Sequence, residues 1–233
     1  MDFSFCPTLA DMLASRTARG ESGRTFTNLG ALSTVNNLTV LRNFMVRHNP
    51  ESTLEVGLAF GGSCLAIAST HRERGHGKHI AIDAYQPANG PWGWDNAGFR
   101  AIREAGLDAF VQVREELSSL ALPQLLRENQ RFGLIYVDGS HFFDDVFVDA
   151  YYALRLLSDD GVAMFDDSQT LHVRKVVSFI RSNWPWVSEV DLSSYRPTNW
   201  KYHLAKRLGR VQLTAFGRFG KDPRHWEAPL RRF

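Results

Sequence analysis

Two periods of apolar residues alternate along this chain. Val35, Leu38, Leu41, Phe44 and Met45 recur at helical spacing behind Ser33, a residue able to cap the helix, and Asn49-Pro50 ends it. From residue 53 onward, short apolar runs alternate with stretches of helical period. The runs predict strands over 53–58, 78–83, 110–114, 132–138, 161–166, 186–192 and 211–219. The stretches between them predict helices over 63–74, 95–105, 120–129, 142–157 and 171–182. The 132–138 run is nearly all apolar, as befits a parallel strand covered on both faces. In the helix after it, Phe143, Val146, Phe147, Ala150, Leu154 and Leu157 share one face.

Such alternation implies an α/β fold: a doubly wound, Rossmann-like, mostly parallel sheet of seven strands. The last two strands have no helix between them, only the 193–210 connection, so they can pair antiparallel at one edge. No repeat or low-complexity segment breaks the pattern. A single domain is expected, with a helical N-terminal extension over 1–50, the core over 51–219 and a basic tail over 220–233.

Open α/β sheets bind ligands beyond the carboxyl ends of their strands. The first strand of the core runs into Glu55-Val-Gly57-Leu-Ala59-Phe-Gly61-Gly62-Ser63. Glycines there permit a tight turn and close approach of a ligand to the backbone. The dinucleotide fingerprint G-x-G-x-x-G would need glycine where Ala59 stands, and Glu55 would sit awkwardly beside a pyrophosphate. A carboxylate is favourable near the ammonium and sulfonium of S-adenosylmethionine. Asp83, at the end of the second core strand, suits two ribose hydroxyls and serves either cofactor. An NAD-dependent oxidoreductase on the same sheet is therefore the alternative, and a non-catalytic S-adenosylmethionine-binding protein a further one.

The order E-x-G-x-x-x-G followed by a strand-end acid resembles the class I S-adenosylmethionine-dependent methyltransferases. The similarity continues over roughly residues 50–185, through FGLIYVDGSHFFDD and GVAMFDD, and is similar to the bacterial subfamily of macrocin and other sugar O-methyltransferases. The resemblance implies a cofactor contact set of Glu55, Gly57, Ala59, Gly61, Ser63, Asp83 and Asp138, with Glu116 and Ser118 near the adenine.

Asp138 ends the fourth core strand, and Asp166 and Asp167 end the fifth. Three carboxylates gathered at one rim repel one another unless a cation binds them. All-oxygen ligation suits Mg²⁺ or Mn²⁺, which can hold a hydroxyl and lower its pKa. The resembling enzymes also hold a metal at these positions. The competing expectation is that one Asp faces the site while Asp167 or Ser168 caps the helix that follows. His141, three residues after Asp138, is the candidate general base, with Asp138 beside it. The expected reaction is O-methylation of a small-molecule or sugar hydroxyl.

Other features change the picture less. Trp92 and Trp94, in a Gly/Pro-rich loop over 84–96, can stack on a substrate ring or plug an edge of the core. His71, His76 and His79 fit no common zinc spacing; His203 and His225 stand in no motif. No nucleophile elbow and no phosphate-loop lysine is present. Net charge is +2, yet residues 196–233 carry ten Lys or Arg against Asp222 and Glu227. Such a tail can meet an anionic partner or lie solvated. A nucleic-acid methyltransferase lacks support, since no recognition module or N-P-P-Y-type segment accompanies the charge. The expected partners are a small-molecule or sugar acceptor and, in a homo-oligomer, a second copy of the chain. Cys6 and Cys64 lie far apart, the first residues lack a signal-peptide pattern, and no apolar run reaches membrane length, so a reducing cytoplasm is expected.

Overall fold

The computed structural model describes residues 3–88, 90–196 and 211–233. The elements in chain order are α1 (Pro7–Ser15), β1 (Ala18–Arg19), β2 (Thr25–Phe26), α2 (Val35–His48), β3 (Ser52–Val56), α3 (Gly62–Arg74), β4 (Lys78–Ile82) and α4 (Ala97–Glu104). They continue with β5 (Val111–Arg114), α5 (Ser118–Arg127), β6 (Phe132–Val137), α6 (Phe143–Leu156), β7 (Leu157–Phe165), α7 (Leu171–Asn183), β8 (Val187–Glu189) and β9 (Thr214–Arg218). The main sheet has seven strands in the order β5-β4-β3-β6-β7-β9-β8. β3, β4 and β5 pair in parallel, as do β6 and β7, while β9 runs antiparallel to both of its neighbours. This is the mostly parallel, Rossmann-like sheet that the alternation implies. The chain divides into two compact units, Met1–Ala121 and Leu122–Phe233.

In the first unit, the N-terminal segment is more than a helical extension. Between α1 and α2 stands the small hairpin β1–β2, whose strands are too short to leave a period in the sequence. Its turn is tied to Asp95, whose carboxylate accepts from the Ser22 amide and hydroxyl and whose carbonyl accepts from the Glu21 amide. Thr34, not Ser33, is the N-cap of α2, accepting from the Asn37 amide at 3.4 Å, and Asn49 closes the helix in the left-handed conformation. Leu9, Leu38, Leu65, Ala66 and Leu107, all without exposed surface, belong to the core of this unit.

In the second unit, the end of the chain lies along α6 and α7. Asp222 bridges Arg155 and Arg224, Asn183 exchanges two hydrogen bonds with the Arg231 backbone, and the Phe233 ring meets Phe179 edge-on at 5.0 Å. These residues of the basic tail are thus engaged within the protein. Lys201, Lys206, Arg207, Arg210 and His203 lie outside the described residues. Among the described residues no helix is long and apolar enough to cross a membrane.

Candidate active site

The parallel register aligns Val56, Ile82 and Arg114 across β3, β4 and β5. The residues that follow therefore leave the sheet at one rim, where the Gly57 amide donates to Ile82 and the Asp83 amide to Arg114. This rim carries the loop Gly57–Ser63, Asp83 and, just past β5, Glu116 and Ser118. Gly57 (φ 92°) and Gly61 (φ 86°) take the left-handed turns that an L side chain resists, and Ala59 is held there too, at φ 43°. Asp83 keeps the strained turn in place. Its Oδ2 accepts from the amides of Leu58 (3.1 Å) and Ala59 (2.8 Å), and its Oδ1 from the amide of Tyr85 (2.8 Å).

Gln86, which the sequence reading did not single out, completes this brace. Its amide nitrogen donates to the Ala59 carbonyl at 2.8 Å and to Asp83 at 3.1 Å, and its oxygen accepts from the Gly98 amide at the start of α4. A side chain at position 98 would meet the Ala59 carbonyl at 2.8 Å, so glycine is required for α4 to approach the loop. The Trp-rich loop divides in function. Trp94 packs edge-on against Phe60 of the glycine loop at 5.0 Å, a core plug, whereas Trp92 is 85% exposed. Ser63 lies in the first turn of α3 and is buried. Glu116 stays near Arg114, at 3.7 Å.

Glu55 lies at the carboxyl end of β3, two residues before Gly57. It has no exposed surface, because the two-residue period of β3 turns it to the same face as Thr53. There it approaches His79 at 3.4 Å and lies in one group with the Cys64 thiol.

The second cluster belongs to the ends of β6 and β7, where Val137 pairs with Phe165 and Asp138 and Asp166 follow. Asp138, His141 and Asp167 each place a ligand atom within 4.8 Å of the others. His141 Nε2 lies 3.2 Å from Asp167 and 3.9 Å from Asp138, and the imidazole is half exposed. The hydrogen bond to Asp138, followed by the charges of Asp167 and Asp166, raises the His141 pKa although burial opposes it. Asp166 does not join this group. It is buried, one oxygen accepting from the Tyr136 hydroxyl and the other from the Asp167 amide at 2.7 Å. The expected trio of aspartates is therefore two aspartates and a histidine, with Asp166 held beneath. Tyr136 is the second residue missed; a lone phenol in an apolar strand, two residues before Asp138, was its only signal. Asp167 does not cap α7, whose N-cap is Thr170; its carboxylate accepts from Gln169 instead. A donor set of two carboxylates and one imidazole fits a divalent ion such as Mg²⁺ or Mn²⁺.

Residues 54–168 match a family model described as a methyltransferase domain. No curated protein matches the chain. Among solved structures, the chain is similar to the S-adenosylhomocysteine-bound methyltransferase PaMTH1 of Podospora anserina, at 15% identity and TM-score 0.67, covering 94% of this chain and 89% of that one. It is also similar to the O-methyltransferase TomG of Streptomyces achromogenes in complex with S-adenosylmethionine, at 15% identity and TM-score 0.65, covering 94% and 91%. An O-methyltransferase of Bacillus cereus in complex with S-adenosylhomocysteine follows at 19% identity and TM-score 0.59, covering 79% and 82%. Residues 54–168 are thus a methyltransferase domain, and the fold that carries them is that of the class I S-adenosylmethionine-dependent methyltransferases.

Proposed function

We propose that this chain transfers the methyl group of S-adenosylmethionine to a hydroxyl oxygen of a small molecule or sugar, with His141 as general base. The observation that carries the reading is the half-exposed His141 imidazole, 3.2 Å from Asp167, in the strand-end cluster of a methyltransferase fold. The loop Gly57–Ser63, Asp83, Glu116 and Ser118 hold the donor, and Asp83 has capacity beyond its backbone bonds because each carboxylate oxygen accepts more than one donor. The donor supplies an electrophilic methyl on sulfur; the acceptor oxygen forms the new bond to carbon as the carbon–sulfur bond breaks. His141 takes the hydroxyl proton, and Asp138 and Asp167 orient the ring and stabilise the imidazolium that forms. Tyr136 and Asp166 hold this cluster from below.

Asp138 and Asp167, with His141 at hand, would also hold a divalent ion, which when bound supplies Lewis acidity to a hydroxyl. Two named relatives, from Streptomyces achromogenes and Bacillus cereus, are O-methyltransferases, which supports oxygen as the acceptor atom. The test is S-adenosylhomocysteine release across a panel of sugar and aromatic hydroxyl compounds, before and after chelation and with Mg²⁺ or Mn²⁺ restored. Hydroxyl-dependent release that falls on chelation and returns with the ion is expected. Release with amine or thiol acceptors only would overturn the oxygen assignment, and release unchanged by exhaustive chelation would remove the metal.

A further inference from the structure

The buried group beneath the donor loop has no role in methyl transfer as described. On β3, Thr53 and Glu55 face the same side; Thr53 pairs with His79 of β4 in register. On α3, Cys64 and His71 lie two turns apart and present one helix face. Glu55, Cys64, His71, His79 and Thr53 are all without appreciable exposed surface. Neither oxygen of Glu55, nor Nε2 of His79, meets a nitrogen or oxygen partner in hydrogen-bond geometry; among the described residues, only the Cys64 thiol and, at 3.4 Å, the His79 ring stand around the carboxylate. Removing a carboxylate from water with only a thiol and one distant imidazole beside it is unfavourable, and a cation between the three would offset that cost.

We infer that Glu55, Cys64 and His79 form a site for a zinc-class divalent ion that staples the two ends of the donor loop. Each residue aims one ligand atom at the others, all within 4.8 Å. The His79 Nε2 to Glu55 Oε1 separation is 3.4 Å. That is long for a charge-assisted hydrogen bond, which runs about 2.7–2.9 Å. It matches the edge of a tetrahedron whose corners lie about 2.1 Å from a central ion, roughly 3.4 Å. One sulfur, one nitrogen and one oxygen select Zn²⁺ over Mg²⁺, which prefers an octahedron of oxygens. The other ring nitrogen of His79 is already oriented, with Nδ1 2.9 Å from the Thr53 hydroxyl, the outer support that metal-binding imidazoles use. Binding of the ion by the Cys64 sulfur would release the thiol proton to solvent. Glu55 stands two residues before Gly57 and Cys64 directly after Ser63, so the ion would pin both ends of the turn that grips the donor.

The test uses the intact chain and a readout that needs no methyl transfer. Protein purified from zinc-supplemented medium should carry one equivalent of zinc. The metal-free protein should take up Co²⁺ and develop a near-ultraviolet thiolate-to-cobalt band. Cys64→Ser should abolish that band while Cys6→Ser keeps it, and Thr53→Val should weaken metal affinity about 10–100-fold. An ion at Asp138, His141 and Asp167 gives no thiolate band, so failure here is distinct from failure of the proposed reaction. A folded wild-type chain that holds no stoichiometric zinc and develops no band with Co²⁺ would overturn the site. A band that survives Cys64→Ser would overturn it equally.

Discussion

At the carboxyl end of β4 the carboxylate of Asp83 is met by three backbone amides and the Gln86 side chain. At the ends of β6 and β7, carboxylates are met by one another and by an imidazole. The first arrangement is met by the chain's own donors and shapes a backbone turn. The second gathers like charges around an imidazole. The two histidine environments repeat the contrast. His71, buried in the first unit, has its pKa lowered to about 4 by desolvation, with the charge of His79 adding to it. His141, among acids, has its pKa raised. One rim is fixed in geometry by backbone donors; the other places an imidazole among acids.

The contrast breaks most visibly at His141. His141→Ala should lower turnover by about 10²–10⁴-fold while donor affinity stays near wild type. Steady-state rates paired with calorimetry check this, and near-normal turnover would leave the imidazole a packing residue.

Acid should separate the two histidines through stability. A buried imidazole with a folded pKa near 4 is protonated more readily in the unfolded chain, so His71 costs stability as pH falls from about 6.5 toward 4. At about 1.4 kcal/mol per pKa unit the loss approaches 3 kcal/mol. His141 acts in the opposite sense: its contribution is full below about 6.5 and is lost as pH rises through its elevated folded value. Urea melts of wild type and His71→Gln between pH 7 and 4 should show a shallower acid loss in the variant; parallel curves would mean that His71 is not the titrating group.

Asp83→Asn keeps the size of the side chain but removes the charge that holds the turn. Each charge-assisted bond is worth about 1.5–3 kcal/mol, so donor affinity should fall by at least tenfold, with turnover at saturating donor largely kept. A collapse of turnover without any change in donor affinity would contradict its assignment to the donor rim. Gln86→Ala should have the smallest effect, about 1 kcal/mol on donor affinity, because it removes neutral bonds behind the same turn. Gln86→Glu should be worse than Gln86→Ala, since a carboxylate beside Asp83 repels it.

Much of this fold could be read from period alone. The run 132–138 and the stripe from Phe143 to Leu157 announce β6 and α6 because burial on both strand faces and on one helix face leaves distinct periods. The hairpin β1–β2 was illegible because two-residue strands have no period, and its anchor, Asp95, lies more than seventy residues away. In the site, Asp138, His141 and Asp167 were legible as strand-end polar residues. The inward turn of Asp166 was not, since it depends on Tyr136 reaching across from the neighbouring strand. The burial of Glu55 was illegible for a related reason. Proximity to the glycine loop suggested a ligand contact, while strand alternation with Thr53 put the carboxylate beneath α3. The pairing of Cys64 with His79 likewise joins a helix to a strand and leaves no local spacing to find.

The central claim is that the rim of Gly57–Ser63 and Asp83 is built for S-adenosylmethionine rather than a dinucleotide. Calorimetric titration of the wild-type chain with S-adenosylmethionine, S-adenosylhomocysteine and NAD tests it directly. Saturable binding of both sulfur compounds at one site per chain, with no heat from NAD, is the predicted result. Tight NAD binding with no response to either sulfur compound would contradict the account.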